Sequence, residues 1–154
     1  MIKIGILGDI GSGKTFVANQ FGYPVFNADI EVSKIYKNSK SCFKILKKKF
    51  PNHIFTFPIN KKEISKLILL NKKNLKKINK IVHPIVRSRM NKFISKNKRK
   101  KILVLDIPLL LENRIKKKDF TLIFVDAKKK DIVKNLKKRK SYNLKIIKLL
   151  RKFP

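Results

Sequence analysis

Gly8-Asp9-Ile10-Gly11-Ser12-Gly13-Lys14-Thr15 fits G-x-x-x-x-G-K-[ST], the spacing of a phosphate-binding P-loop. Its flanks agree with that reading. Ile2 to Leu7 is a short, β-rich apolar run that reads as a buried strand, and Phe16 to Phe21 continues as a short helix that Gly22 is placed to end. Glycines at 8, 11 and 13 let the backbone turn tightly and keep side chains out of the space between amides and ligand. The N–H groups around Gly11, Ser12, Gly13 and Lys14 can then converge on phosphate oxygens, favoured by the positive end of the following helix. Lys14 would reach the β- and γ-phosphates, and the Thr15 hydroxyl would ligate Mg²⁺. The competing reading is a glycine-rich turn with a lysine by chance. Eight matching positions in strand–loop–helix order favour a nucleoside triphosphate site.

A length of 154 residues suits one compact nucleotide-binding unit with small appendages, and 43% apolar content suffices for a core. No run approaches the ~18–20 apolar residues of a membrane span, so no membrane partner is expected. The first strand starts so near Met1 that no signal peptide is expected. Cys42 is the single cysteine, which excludes an internal disulfide, fits a reducing cytoplasm and reads as small apolar filler. The formal charge of +32 needs more care. Residues 1–33 hold Lys3 and Lys14 against Asp9, Asp29 and Glu31, so the whole excess lies downstream, scattered in short lysine runs. A dedicated nucleic-acid site gathers its charge on one face with aromatics or arginines interleaved. The joint abundance of Lys, Ile, Asn and Phe instead reads as compositional drift, and no specific nucleic-acid partner is expected.

Further along, Tyr23 to Asn27 reads as a turn and a short second strand, followed by Ala28-Asp29. Ligands gather at the C-terminal ends of strands in an open α/β sheet, which would turn Asp29 toward the P-loop. Asp29 also suits an N-cap for the next helix, and the two roles are compatible. Residues 30–95 read as helical with one break, between Pro51 and Pro58. Pro84 disfavours helix at His83 and suits the start of a new one, which predicts a helix-to-helix corner at His83. A lone histidine in a corner is usually structural. Ile102-Leu103-Val104-Leu105-Asp106 reads as a buried parallel strand ending in a carboxylate, the Walker B pattern, and Asp106 could hold Mg²⁺ directly or through water. Phe120 to Val125 reads as another buried strand, and Ile132, Val133 and Leu136 as one face of a basic helix ending near Arg139. Leu144 to Leu150 reads as the beginning of a further helix.

Taken together, these segments resemble the dephospho-CoA kinase family over nearly the whole chain. The strand and loop from Ile4 to Thr15 look like the family's opening. Pro24-Val25-Phe26-Asn27-Ala28-Asp29 looks like its strand ending in Asp-Ala-Asp, and Val82-His83-Pro84-Ile85-Val86-Arg87 like its His-Pro segment. Leu105-Asp106-Ile107-Pro108-Leu109-Leu110-Leu111-Glu112-Asn113 resembles its Asp-x-Pro-Leu-Leu-x-Glu segment, the most specific of the four. The resemblance implies a three-layer α/β P-loop NTPase fold with a parallel sheet. It implies one kinase-like domain: a core over 1–29 and 102–136, a helical acceptor-binding region over 30–95 and a lid over 137–154. It implies transfer of the ATP γ-phosphoryl group to the ribose 3′-hydroxyl of dephospho-CoA, the last step of coenzyme A synthesis. Asp29 falls on the family's proposed general base. Arg139 falls on a lid arginine that approaches the ATP phosphates, and His83 and Arg87 fall on the acceptor side.

Three departures stand out. Asp9 replaces a usual glycine, Asn27 replaces the first Asp of the pair, and the sequence stops at Pro154. Family members continue into a final strand, an adenine-seating loop and a closing helix. Without these the expectation is four parallel strands with Phe120 to Val125 left as an edge, an aggregation hazard. Two rival functions follow: a degenerate, catalytically impaired P-loop remnant that still binds nucleotide, or a polyanion-binding module built on the lysine-rich surface. Intact Lys14, Thr15, Asp29 and Asp106 favour the enzyme.

Overall fold

β-Branched and aliphatic residues from Ile2 to Leu7 form β1 (Ile2–Leu7), the strand onto which the rest of the sheet is built. The computed structural model describes residues 1–107 and 120–138. In chain order, β1 is followed by α1 (Lys14–Gln20), β2 (Val25–Asn27), α2 (Ala28–Asn38), α3 (Lys40–Lys49), α4 (Lys61–Leu70), α5 (Lys73–Lys96), β3 (Ile102–Asp106), β4 (Thr121–Phe124) and α6 (Lys129–Lys137). The strands form one sheet in the order β2-β3-β1-β4, and every pairing is parallel. The fold is therefore α/β with a four-stranded parallel sheet, as expected.

The chain divides into two compact units: residues 1–28 with 90–154, and residues 29–89. In the first, β3 lies between β2 and β1 and buries Leu103, Val104 and Leu105 completely, as a near-continuous apolar run in a parallel sheet requires. Ile4 and Ile6 of β1, Ala18 of α1 and Val104 form one core cluster, with Ile123 and Val125 packed against it. β4 departs from the expectation of a buried strand. Leu122 is 39% and Phe124 64% exposed, because alternate residues of β4 point to opposite faces and it is Ile123 that packs toward the core. An apolar run by itself does not separate a two-faced buried strand from a one-faced one. Val133 departs in the same way: it is 45% exposed, while Ile132 and Leu136 carry the buried face of α6.

The second unit is helical, and its breaks are set by capping side chains. The single interruption expected between Pro51 and Pro58 is present between α3 and α4, but two more occur at Ser39 and at Asn71-Lys72. The Ser39 hydroxyl accepts from the Cys42 N–H at 3.2 Å, and Asn71 Oδ1 accepts from the Lys73 N–H at 2.9 Å. Each side chain satisfies an amide that the first helical turn leaves without a partner. Between α3 and α4, the Glu63 carboxylate accepts from the Phe55 N–H and the Thr56 hydroxyl and so ties the loop to α4. Cys42 is fully buried as apolar filler, and desolvation pushes its thiol up to about 11.

The corner expected at His83 does not exist. α5 runs unbroken from Lys73 to Lys96 with Pro84 inside it. The physical reason lies in which face the proline occupies. Val82, Val86 and Met90 are buried along one side, whereas Pro84 and Lys80 are exposed. The carbonyl of Lys80 that loses its i+4 donor can therefore turn to water, and burial of the opposite stripe holds the helix together. Among the described residues no helix is long and apolar enough to cross a membrane.

Candidate active site

The loop between β1 and α1 has glycines in the left-handed region at Gly8 (φ 140°), Gly11 (φ 90°) and Gly13 (φ 95°). Two of them are sterically obligatory as well. A Cβ on Gly8 would run into the Val125 carbonyl, and one on Gly11 would lie 2.9 Å from Leu136 Cγ. The loop is thus wedged between the end of β4 and the buried face of α6. Lys14 Nζ donates to the carbonyls of Gly8 and Asp9, each at 2.8 Å, so the ammonium closes over the loop that precedes it. The Ser12 N–H does not face outward as the sequence suggested: it donates to the Asp9 carbonyl at 3.1 Å, closing a turn. The Ser12 hydroxyl is buried without a hydrogen-bond partner among the described residues. Asp9, the residue in place of a glycine, has its side chain exposed and takes part through its carbonyl. Ile10 is half-buried within the same loop.

At the C-terminal ends of the strands three side chains meet. Asp106, buried at 6% exposure, accepts at one oxygen, Oδ2, from the Thr15 hydroxyl at 2.6 Å and from Asn27 Nδ2 at 2.6 Å. Asn27 Nδ2 also lies 3.3 Å from Thr15 Oγ1. The sheet makes this meeting unavoidable, since Asn27 and Asp106 end adjacent parallel strands in register. Thr15 and Asp106 are therefore together as expected, and their oxygens could hold a divalent cation. Asn27 joins them, which the sequence had marked only as a departure from a motif. Its place at the tip of the strand beside β3 was the signal.

Asp29 is the second residue of α2, two positions past the N-cap it was expected to be, and its exposed carboxylate sits in the first turn of the helix. It belongs to the second unit. There it borders an open cavity of about 300 Å³ with Ile30, Ser33, Lys34 and Lys37. Two residues on, burial pushes the Glu31 carboxyl up, but hydrogen bonds from Lys34 at 2.7 Å and Arg89 at 3.0 Å outweigh it and hold the carboxyl below its ordinary value. His83 and Arg87 lie one turn apart on α5, both half-buried, and Arg87 Nη2 is buried with no hydrogen-bond partner among the described residues. Arg139 and the rest of the expected lid after residue 138, the expected helix from Leu144 and the Pro108 to Asn113 segment lie outside the described residues. One participant had no signal in the sequence: Asn135 of α6 donates from Nδ2 to the Gly11 carbonyl at 3.0 Å.

The family model described as dephospho-CoA kinase matches residues 2–149. The chain belongs to the dephospho-CoA kinase family. It is 39% identical over 129 residues to a dephospho-CoA kinase of Wolbachia sp. subsp. Brugia malayi (strain TRS), and 36% identical over 129 residues to one of Bartonella henselae. Each match covers 80% of this chain and 66% of the relative, so the chain spans just under two thirds of the length of these curated relatives. Among solved structures, TT1252 from Thermus thermophilus is similar with a TM-score of 0.75 and 27% identity, over 97% of this chain and 78% of that one. Dephospho-CoA kinase from Campylobacter jejuni shares the fold, with a TM-score of 0.63 and 22% identity over 95% of this chain and 76% of that one. The dephospho-CoA kinase fold thus accounts for the parallel sheet and the P-loop at its centre.

Proposed function

We propose that this protein is a kinase transferring the γ-phosphoryl group of ATP to the ribose 3′-hydroxyl of dephospho-CoA, in the cytoplasm. The observation that carries the reading is the meeting of Thr15, Asn27 and Asp106 beside a P-loop closed by Lys14, in a chain of the dephospho-CoA kinase family. The donor set suits Mg²⁺. A hydroxyl and a single carboxylate converge, and no group of three or more His, Cys, Asp or Glu is found among the described residues. Mg²⁺ takes one or two protein oxygens and fills its shell with water and phosphate oxygens. Thr15 and Asp106 would hold it, and when bound it neutralises charge on the β- and γ-phosphates.

The remaining steps belong to the chain's own residues. Gly8 to Thr15 cradle the triphosphate, with Lys14 exchanging its two carbonyl partners for phosphate oxygens. Asp29 takes the proton of the 3′-hydroxyl as it attacks the γ-phosphorus. His83 and Arg87 bind the acceptor, the buried Arg87 Nη2 offering a donor for an anionic group. Arg139 serves the phosphates from the lid. Residues 1–29 and 102–136 act as the kinase core, 30–95 as the acceptor-binding region and 137–154 as the lid.

The test is transfer of labelled γ-phosphate to dephospho-CoA, with ATP binding followed by calorimetry. Asp29→Asn should lower turnover by about 10²–10⁴-fold while ATP binding persists. Lys14→Ala should remove most of the ATP affinity. A well-folded wild type without transfer would overturn the proposal and favour the nucleotide-binding remnant, and full activity in Asp29→Asn would remove Asp29 from the mechanism.

A further inference from the structure

From the contact of Asn135 with the phosphate loop we infer that α6 is a clamp on that loop and that Asn135 is a positioning residue for polyphosphate binding, an inference that rests on the P-loop reading above. The geometry concerns a single peptide unit. In a trans peptide the carbonyl and the following N–H point in opposite directions. At the Gly11–Ser12 peptide both ends are held. The Gly11 carbonyl accepts from Asn135 Nδ2 at 3.0 Å, and the Ser12 N–H donates to the Asp9 carbonyl at 3.1 Å. The glycine at 11 is what makes such a hold necessary. With φ at 90° and no Cβ, a peptide next to Gly11 flips at little steric cost. A flip would swing the Gly11 carbonyl toward the Asp9 carbonyl, where the Ser12 N–H now donates, and so would break the turn that shapes the phosphate loop.

The clamp has an apolar half as well. Leu136 and Ile132 are buried at 4% and 6% exposure. The position of a Cβ on Gly11 lies 2.9 Å from Leu136 Cγ, 3.1 Å from Leu136 Cδ2 and 3.2 Å from Ile132 Cγ2. The helix therefore covers Gly11 with hydrocarbon and leaves one polar contact, the Asn135 amide, to fix the direction of the carbonyl.

The experiment compares wild type with Asn135→Leu, which keeps the bulk and loses the donor, and Asn135→Gln, which keeps the donor. The probes are inorganic tripolyphosphate and adenosine, titrated by calorimetry into the full chain. Asn135→Leu should bind tripolyphosphate about 10-fold more weakly, the range of one net hydrogen bond, with adenosine affinity unchanged and partial recovery in Asn135→Gln. In the free protein, hydrogen exchange at the Ser12 amide should quicken by about the same factor in Asn135→Leu while the amides of β3 hold their rates. Equal tripolyphosphate binding and equal Ser12 exchange in wild type and Asn135→Leu would overturn the inference. Equal loss of adenosine and tripolyphosphate would also overturn it, by showing general destabilisation. A wild type that fails to bind tripolyphosphate would overturn the P-loop reading itself, and the exchange measurement would still decide whether Asn135 holds the loop.

Discussion

Asn27 shows how far one atom changes a site. Its Nδ2 donates to the Asp106 carboxylate, so the buried charge is met by a neutral donor where the family pattern places a second acid. Asn27→Asp would set two carboxylates against each other at the place where donor and acceptor now lie 2.6 Å apart. Without divalent cation this variant should lose about 1–3 kcal/mol of stability, the cost of a lost charge-assisted bond plus like-charge repulsion. With millimolar Mn²⁺ or Mg²⁺ the loss should reverse, because paired carboxylates are better oxygen ligands for a divalent ion than one. Urea unfolding with and without the cation checks this. A stability loss indifferent to the cation would mean that Asn27 only supports the fold.

Among the elements, α5 carries two separable expectations. Pro84 sits in an unbroken helix with its ring exposed, so Pro84→Ala restores a backbone donor without disturbing a buried contact. Stability should rise by about 1–3 kcal/mol in urea unfolding, and an unchanged or lower midpoint would show that the proline shapes the helix in a way the fold needs. The other expectation concerns the bond from Arg89 of α5 to Glu31 of α2 at 3.0 Å. The folded-state carboxyl of Glu31 lies below its ordinary value of 4.5. Its contribution is therefore fully present above pH 4.5 and is lost as pH falls through the lowered folded-state value. Glu31→Gln should cost about 1 kcal/mol near neutrality and flatten the stability profile at the acid end. A variant whose acid profile matches wild type would deny Glu31 that role.

For the whole molecule the governing quantity is a formal charge of +32 on 154 residues. Self-repulsion of that size opposes compaction and is relieved by screening. Thermal stability should therefore rise as salt goes from ~0.05 to ~0.5 M, a range over which the Debye length shrinks severalfold. Over the same range, binding to any nucleic acid should fall steeply and without sequence preference, as counterion release dictates. A tight complex with one RNA or DNA sequence that survives physiological salt would mean that the lysines form a selected surface. Salt-independent melting would mean that the charges are already compensated in the fold.

Local sequence determined the strand, loop and helix from Ile2 to Gln20, the strand ending in Asp106 and the membership of a kinase family. Each depends on residues close together in the chain: glycines that alone accept positive φ, an apolar run that alone suits a covered parallel strand, a lysine and a hydroxyl at fixed spacing. Tertiary structure decided what lies beside what. Asn27 and Asp106 are 79 residues apart, and only the order β2-β3-β1-β4 makes them neighbours. Asn135 reaches Gly11 across 124 residues, with nothing in the polar face of a basic helix to single it out. The same holds for two of the features read differently from sequence. Whether Phe124 is buried depends on what packs against its face of the sheet, and whether Pro84 breaks a helix depends on whether the opposite stripe is buried. Propensity is a few kcal/mol at most and local, whereas burial sums over a whole face, so where the two conflict the packing prevails.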